Sequence, residues 1–259
     1  MKPHKKGPDC VRAFSLYAVI TAGGPIDGEY AARAGTALKA LAPVRGRTLI
    51  ARTIDALRDC GIERIAVVGN DAVRNACASF TTLKIVPDGG SGAKNVLGAL
   101  DAWPDDDALL YLTCDMPYVD APSLRWVLER LERGTLSMPL SEYAAFVQRF
   151  PGAPPFGITL AGERVVNAGV FYLPPGTRSR VRALATTLFE ARKAPWKMAT
   201  IAGPLVLLQF LLGRASVNAL EQRARYVLQM PVAALRDAPP ELAFDADTAA
   251  DYAYALEHA

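Results

Sequence analysis

The chain has 259 residues, 29 basic and 26 acidic side chains, and a formal net charge of +3. About half of its residues are apolar, so length and composition fit a globular protein with a full core and exclude a disordered chain. The nearly balanced charges form no basic stripe, which argues against nucleic-acid binding. The histidines, His4 and His258, lie near the two chain ends, which argues against a histidine-based catalytic centre or a zinc site.

The cysteine pattern and the N-terminal segment indicate the cellular compartment that we expect for this protein. The cysteines are far apart and form no CxxC pair, so we expect reduced thiols in a cytoplasmic protein; they are Cys10, Cys60, Cys77 and Cys114. The basic N-terminal segment precedes a short apolar run that continues into a glycine loop, which favours a frayed tail over a signal peptide. The apolar run 204–212 is too short to span a membrane.

The first predicted strand, residues 17–21, is apolar and leads into the glycine pair Gly23-Gly24. A backbone without Cβ atoms can approach an anion closely, and Lys39 then adds a positive charge. The loop therefore indicates a phosphate-binding site. A P-loop is excluded because no lysine follows Gly28.

A dinucleotide-binding fingerprint requires an acidic residue at the end of the second strand, about 20 positions after the glycines. The second predicted strand here, residues 65–68, ends about 45 positions after them, so this interpretation is disfavoured. Apolar residues recur at helical spacing over 49–57, and Gly61 ends that helix. Further strands are predicted at 83–86 and 108–113.

The connecting helices are predicted at 93–103 and 123–133. This alternation predicts a parallel sheet covered on both faces. Asp115 follows the strand 108–113 and therefore lies at the same sheet edge as the glycine loop. The acidic run 105–107 is interpreted as a solvated loop in preference to a metal site, because three successive carboxylates cannot all face one ion.

The pattern is less regular after residue 134. Residues 164–173 predict a loop that leads into a strand, and residues 178–236 are interpreted as mostly helical. The tail predicts a last short strand that reaches Asp245 and Asp247, with Thr248 capping a final helix.

Seven segments in this order together resemble the MobA-like nucleotidyltransferases of the nucleotide-diphospho-sugar transferase superfamily. They are ITAGG, LKALAPVRGRTLI, VVGND, PDGGSGAKN, LTCDMP, NAGVFYL and FDADTAADY. The resemblance implies an α/β fold: a Rossmann-like mixed, mostly parallel sheet with helices on both faces and a helical C-terminal elaboration. It implies one NTP transferase domain over 1–259, with a nucleotide-binding half (1–133) and an acceptor-binding half (134–259) that carries a helical insertion near 178–236.

The same resemblance implies Mg²⁺-dependent transfer of a nucleoside monophosphate from an NTP to a phosphorylated small molecule, with release of pyrophosphate. It assigns catalysis to Lys39 and Asp115, and the metal to Asp115 and Asp247, with Asp245 as a close rival. Asn167 is a candidate acceptor contact, although a turn asparagine fits it equally well. The implied nucleotide-binding residues are Ala22, Gly23, Gly24, Arg33, Lys39, Asn70, Asp88, Gly92 and Asn95.

Two other functions stay open. Asp27 and Glu29 stand where the superfamily's loop carries an arginine, so the chain could be a catalytically degenerate nucleotide or nucleotide-sugar binding protein, unless Arg33 substitutes. Residues 192–225 mix apolar and basic side chains, as an interfacial membrane helix or a lipid-substrate pocket would. A helical lid or subdomain packed on the sheet is favoured over that membrane interpretation.

Overall fold

The computed structural model describes residues 15–191, 201 and 203–259, and for Leu211 the backbone alone. Two short 3₁₀ turns, Lys39–Leu41 and Pro240–Leu242, accompany the strands and helices of this part of the chain. The strands are β1 (Leu16–Thr21), β2 (Pro43–Val44), β3 (Arg47–Thr48), β4 (Ile65–Gly69), β5 (Lys84–Pro87), β6 (Ala108–Thr113), β7 (Leu136–Glu142), β8 (Ile158–Leu160), β9 (Glu163–Asn167), β10 (Val170–Leu173) and β11 (Val232–Leu235). The helices are α1 (Gly28–Ala34), α2 (Leu49–Asp59), α3 (Asp71–Ala76), α4 (Gly92–Leu100), α5 (Ala121–Leu128), α6 (Tyr143–Arg149), α7 (Arg178–Ala191), α8 (Pro204–Leu211), α9 (Val217–Leu228) and α10 (Ala249–His258).

The strands other than β2 and β3 form one nine-stranded mixed sheet in the order β5-β4-β1-β6-β10-β7-β9-β8, with β11 paired to β7. The first four strands of this order are parallel to one another, whereas β10 is antiparallel to β6 and to β7. The Rossmann-like mixed sheet expected from the resemblance is confirmed. The carboxyl ends of β1, β4 and β6 therefore share one edge.

Helices cover both faces of this sheet, as predicted. Side chains of successive strand residues point to opposite faces, and in β1 Ala18 and Ile20 join one buried cluster while Tyr17 and Val19 join another. The first cluster takes its buried helical side chains from α2, α3 and α5, and the second takes them from α4. Both faces of β1 are thus in the core, which explains its continuous apolar sequence.

Local sequence signals set several helix ends. Gly61 has a φ of 78° and follows the C-cap residue of α2, as predicted. Its N–H donates to the carbonyl of Arg58, and the N–H of Ile62 donates to that of Leu57, which is the Schellman pattern. Thr248 caps α10 through a capping box with Asp251, which confirms the cap predicted there.

The C-terminal half differs from the prediction in three places. The region left irregular after residue 134 contains β7 and α6. The prediction of a helical insertion near 178–236 is wrong at its end. Helix α9 stops at Leu228, and Val232–Leu235 forms β11, whose backbone pairs with β7. The strand predicted before Asp245 is also wrong: Pro240–Leu242 is a 3₁₀ turn, which proline at the first position favours.

The acidic run 105–107 is more than a solvated loop. The Asp105 carboxylate accepts hydrogen bonds from the backbone N–H and from Nε of Arg178, the buried first residue of α7. The other guanidinium nitrogens of Arg178 donate to the carbonyls of Trp103 and Asp107. The run therefore anchors the start of α7.

Two further expectations concern thiols and membranes. Cys77 and Cys114 are free and buried and Cys60 is free and half-buried, as expected of core thiols, while Cys10 lies outside the described residues. Within the part of the chain that the structure describes, no helix combines the length and hydropathy required to cross a bilayer.

Candidate active site

Lys39 is held in place by the backbone of the glycine loop. Its N–H donates to the carbonyl of Gly24 at 2.9 Å, and the N–H of Ile26 donates to the carbonyl of Ala37. The residues after the glycine pair therefore run antiparallel to those before Lys39. This pairing brings the lysine to the carboxyl end of β1, although it lies well beyond that strand in sequence.

The Lys39 ammonium group lies between two carboxylates from distant parts of the chain. Its Nζ is 3.1 Å from Oδ2 of Asp115 and 2.5 Å from Oδ1 of Asp247. The Lys39 and Asp115 side chains are 14% and 17% exposed, whereas Asp247 is 59% exposed. Lys39 and Asp115 thus form a largely buried ion pair, and Asp247 contacts the lysine from the solvent-exposed side. These three side chains are called the centre below.

A third carboxylate, Asp245, lies beside this centre. Its segment is tied to β6, since the N–H of Ala246 donates to the carbonyl of Asp115 at 2.8 Å. Burial, followed by the charges of Asp115 and Asp247, raises the pKa of Asp245 to about 8. Burial alone would lower the pKa of Lys39, but the two carboxylates outweigh it and raise that pKa, so the lysine stays charged.

The glycine pair serves two different purposes. A Cβ atom on Gly23 would lie 2.4 Å from Nδ2 of Asn95 and 3.2 Å from Oδ1 of Asp88, so this glycine allows the next loop to close over it. At Gly24 the nearest atom to such a Cβ would be Lys39 Cβ, at 3.9 Å. The amide N–H groups of the pair have no hydrogen-bond partner among the described residues, and Ala22 before them is buried.

Asp88 and Asn95 belong to the loop that packs on Gly23. The Asp88 carboxylate accepts from the N–H of Gly90 at 2.9 Å, and Oδ1 of the buried Asn95 accepts from the N–H of Gly89 at 2.8 Å. Both side chains thus hold the loop before α4 in shape. Gly92, the exposed first residue of α4, has open space around it.

The other predicted nucleotide contacts lie on nearby helix starts. The Asn70 side chain accepts from the N–H of Val73 and caps α3 at the carboxyl end of β4. Arg33 pairs with Glu29 on the exposed surface of α1, at 3.2 Å. The structure therefore brings Asn70 to the predicted edge, and it directs Arg33 to Glu29.

Asn167, the candidate acceptor contact, is the last residue of β9 and lines an apolar cavity of about 190 Å³ between α9 and strands of the sheet. The backbone N–H of the residue after it donates to Pro139. Two residues later, Gly169 packs against Thr113 at the end of β6. Asn167 is thus close in sequence to the sheet edge that carries Lys39 and Asp115, but it lines a separate, apolar cavity.

A second cavity of about 370 Å³ adjoins the centre and is lined by residues 25–30 and 247–249. Its charged lining groups are the carboxylates of Asp27, Glu29 and Asp247, and none of the described lining residues is basic. The hydroxyl of Tyr30 donates to the carbonyl of Ala246 at 3.1 Å and fixes α1 to the Asp247 segment. A polyphosphate in this cavity would require added positive charge.

The carboxylates have free capacity for a cation. Oδ1 of Asp115 and Oδ1 of Asp245 are buried and have no hydrogen-bond partner in the part of the chain that the structure describes. No cluster of three or more ligating side chains with metal-site geometry occurs among the described residues. Mg²⁺ binds through one or two carboxylates together with phosphate oxygens and water, so this donor set fits it.

Solved structures share this fold. A hypothetical transferase from Thermus thermophilus is 28% identical, with a TM-score of 0.79 over 92% of this chain and 99% of that one. A nucleotidyl transferase from Methanothermobacter thermautotrophicus is 17% identical, with a TM-score of 0.55 over 94% of this chain and 97% of that one. A 4-diphosphocytidyl-2C-methyl-D-erythritol synthase from Anaerococcus prevotii is 10% identical, with a TM-score of 0.59 over 95% and 96%.

The architecture is therefore the Rossmann-like nucleotidyltransferase fold. The model of the MobA-like NTP transferase domain matches residues 18–199, well over half of the chain. The chain belongs to that family of transferases, as its motifs indicated. A comparison with curated protein sequences found no match.

Proposed function

We propose that this protein is a Mg²⁺-dependent nucleotidyltransferase that moves a nucleoside monophosphate from an NTP to a phosphorylated small molecule. A phosphate oxygen of the acceptor attacks the α-phosphorus, the bond between that phosphorus and the bridging oxygen breaks, and pyrophosphate leaves with the bonding electrons. The observation that carries the proposal is the Lys39 ammonium group held between Asp115 and Asp247 at the glycine-loop edge of the sheet.

Each residue has a role that its surroundings support. Lys39, charged and largely buried, would stabilise the negative charge that develops on the phosphates. The N–H groups of Gly23 and Gly24 have no partner among the described residues and would donate to phosphate oxygens. No covalent nucleophile is required, because positioning and charge stabilisation account for this type of transfer.

Asp115 and Asp247 would hold the metal, with Asp245 beside them. When bound there, Mg²⁺ supplies positive charge that the acid-lined cavity lacks. Oδ1 of Asp115, which no described residue contacts through a hydrogen bond, is available for this role, and Lys39 keeps its other oxygen in place. Asp245, with its raised pKa, adds little negative charge near neutral pH as long as the metal is absent.

The test combines ligand binding with turnover. Thermal unfolding is measured with ATP, CTP, GTP and UTP, each with Mg²⁺ or with EDTA, and pyrophosphate release is then followed with a panel of sugar phosphates and alditol phosphates. A nucleotide at a hundredfold excess over its Kd should add about 2.7 kcal/mol of stability. We expect one base to stabilise the protein in Mg²⁺ but not in EDTA.

Two variants make this test specific. Asp115→Asn should lose the Mg²⁺-dependent stabilisation, whereas Asp71→Asn, on the exposed first turn of α3, should keep it. Stabilisation by a nucleotide that is equal in Mg²⁺ and EDTA, or that survives Asp115→Asn, would contradict the metal assignment.

The acidic lining of the cavity favours a second candidate, a protein that binds nucleotides or nucleotide sugars without catalysis. Asp27 and Glu29 line the space next to Asp247, and the nearby Arg33 is paired with Glu29. Stabilisation by a nucleotide or a nucleotide sugar, without pyrophosphate release with any acceptor, would support this candidate.

A further inference from the structure

Helix α9 packs over the sheet and lines an apolar cavity of about 190 Å³. The other walls are β7, β8, β9 and β11, and eleven of the thirteen lining residues are apolar. The favoured interpretation of residues 192–225, a helical lid or subdomain packed on the sheet, thus holds for α9. It does not hold for α8, none of whose described side chains belongs to a buried cluster of the core.

The cavity offers a ligand few hydrogen-bonding groups. Its polar lining residues are Glu221 and Asn167. The Glu221 carboxylate is engaged, because its Oε1 accepts from the N–H of Ala234 at 2.6 Å and its Oε2 lies 3.9 Å from Nη2 of Arg225. The side-chain amide of Asn167 has no hydrogen-bond partner among the described residues. A bound molecule would therefore contact apolar side chains and one amide.

The cavity shares a face and an edge of the sheet with the glycine loop. Ala168 belongs to the buried cluster that contains side chains of α2, so Asn167 points to the opposite face, on which α4 packs. Helix α4 follows the loop that closes over the glycine pair. Next in the chain, Gly169 packs against Thr113, which lies two positions before Asp115. A molecule whose phosphate lies at the centre can therefore extend over this face into the cavity.

A different, charged cavity, also of about 370 Å³, adjoins the apolar one and shares two lining residues with it. Its charged side chains are three carboxylates and two guanidinium groups, those of Glu142, Glu163, Asp237, Arg164 and Arg236. Arg236 pairs with Glu163 at 2.8 Å. Arg164 lies over the ring of Tyr143, 3.7 Å from its centroid. Both guanidinium groups are thus engaged in a net acidic cavity, so the anionic end of a ligand fits Lys39 better than this cavity.

We propose, on the basis of the proposed function, that the acceptor is a phosphate monoester with an apolar hydrocarbon body and that this cavity binds that body. A cavity of about 150 Å³ lined by aliphatic side chains binds benzene, so the volume here accommodates roughly six to eight carbon atoms. A sugar would leave several hydroxyl groups without partners, which disfavours it. A longer chain would continue past Ile158 and Leu220, which are 53% and 37% exposed. Transfer to such an acceptor would form a nucleoside diphosphate ester of an apolar alcohol and release pyrophosphate.

Turnover with a series of n-alkyl phosphates tests the substrate class. The nucleotide that stabilises the protein in Mg²⁺ is supplied, and pyrophosphate release is measured with ethyl, butyl, hexyl and octyl phosphate and with glucose 1-phosphate. The value of kcat/KM should rise about fourfold for each methylene that the cavity buries. Hexyl phosphate should exceed glucose 1-phosphate by about tenfold or more. A flat series, or a preference for glucose 1-phosphate, would overturn the inference and leave the proposed function standing.

Thermal unfolding with the same phosphates separates this inference from the proposed function. Hexyl phosphate should raise the Tm at concentrations at which ethyl phosphate does not, and Lys39→Met should weaken that stabilisation. Stabilisation by hexyl phosphate without pyrophosphate release from any acceptor would contradict the proposed function and support the apolar ligand class of the cavity. Stabilisation that Lys39→Met leaves unchanged would place the phosphate away from the centre and overturn the assignment of the cavity to the acceptor.

Variants of the lining assign the effect to the cavity. Ala224→Phe adds a ring to the α9 wall and should remove the dependence on chain length, while the Mg²⁺-dependent stabilisation by the nucleotide is retained. Ala76→Phe, at the exposed end of α3, is the matched control and should leave the series unchanged. Leu220→Ser changes a partly exposed position, so it keeps the test open if Ala224→Phe does not fold, and it should affect octyl phosphate more than ethyl phosphate. A chain-length series that neither lining variant alters would overturn the inference.

Discussion

Replacing Lys39 by methionine removes the cation at the centre of the candidate site and keeps most of the side chain's volume. The hydrogen bond to the mostly buried Asp115 is charge-assisted and contributes about 2 kcal/mol to the free energy of unfolding. The bond to Asp247 adds less than about 1 kcal/mol, because that carboxylate is more than half exposed to solvent. The variant should therefore be less stable by about 3 kcal/mol.

For a chain of this size, a loss of about 3 kcal/mol corresponds to a decrease in Tm of roughly 6 to 12 °C. The expected effect on catalysis is larger. Loss of one preorganised group that stabilises transition-state charge lowers kcat by about 10² to 10³. Differential scanning calorimetry in EDTA measures the first effect, and pyrophosphate release in Mg²⁺ with the identified nucleotide and acceptor measures the second.

Lys84→Met is the matched control. Lys84 Nζ donates to the carbonyl of Ala102 at 2.6 Å, at a site remote from the carboxylates, so its loss should cost about 1 kcal/mol and leave turnover unchanged. A Lys39→Met enzyme whose kcat/KM stays within a few-fold of the wild-type value would refute the role of Lys39 in transition-state stabilisation. A Tm equal to that of Lys84→Met would refute the energetic argument.

Three further predictions concern packing, pH and the anchor of α7. Gly23→Ala should destabilise the protein by about 1 to 3 kcal/mol in urea unfolding, because its Cβ would overlap Asn95, whereas Gly24→Ala should be tolerated. Because folding raises the pKa of Asp245 from 3.8 to about 8, its contribution to stability is complete below pH 4 and is lost as pH rises towards 8. Asp245→Asn should therefore match the wild-type Tm in EDTA at pH 4 and exceed it by several degrees at pH 9, and a constant difference would contradict the raised pKa. Arg178→Leu should cost about 3 kcal/mol in urea unfolding, since it leaves the carbonyls of Trp103 and Asp107 without their donors and removes the Nε–H bond to Asp105, which keeps only the backbone N–H. The exposed Arg180→Leu should cost less than about 1 kcal/mol.

The parallel half of the sheet could be predicted because its signals are local. The strand 108–113 was located at its observed bounds, since six apolar or β-forming residues stand between an acidic turn and Cys114. The C-terminal half gave weaker signals. β7 contains Pro139, which argues against a strand, yet its neighbours β9, β10 and β11 supply hydrogen bonds that override that preference.

The candidate site was predictable in composition more than in arrangement. The motifs named Lys39, Asp115 and Asp247, and the structure brings these three side chains together. Asp245 was named only as a rival, because a sequence does not report that one of its oxygens is buried and has no hydrogen-bond partner among the described residues. The sequence also does not show that Gly23 leaves room for Asn95. That role depends on the close approach of two loops, which spacing along the chain does not reveal.

The sequence by itself determined the alternation of strands and helices, the glycine turn after β1 and the family, because each rests on the order and spacing of neighbouring residues. Tertiary structure decided which charges meet and which apolar residues stay uncovered. Lys39 and Asp247 are 208 positions apart and pair only because the segment before α10 returns to the end of β6. The apolar run of α8 looks like a core helix in sequence, and only the fold shows that Leu205, Leu208 and Phe210 are more than half exposed.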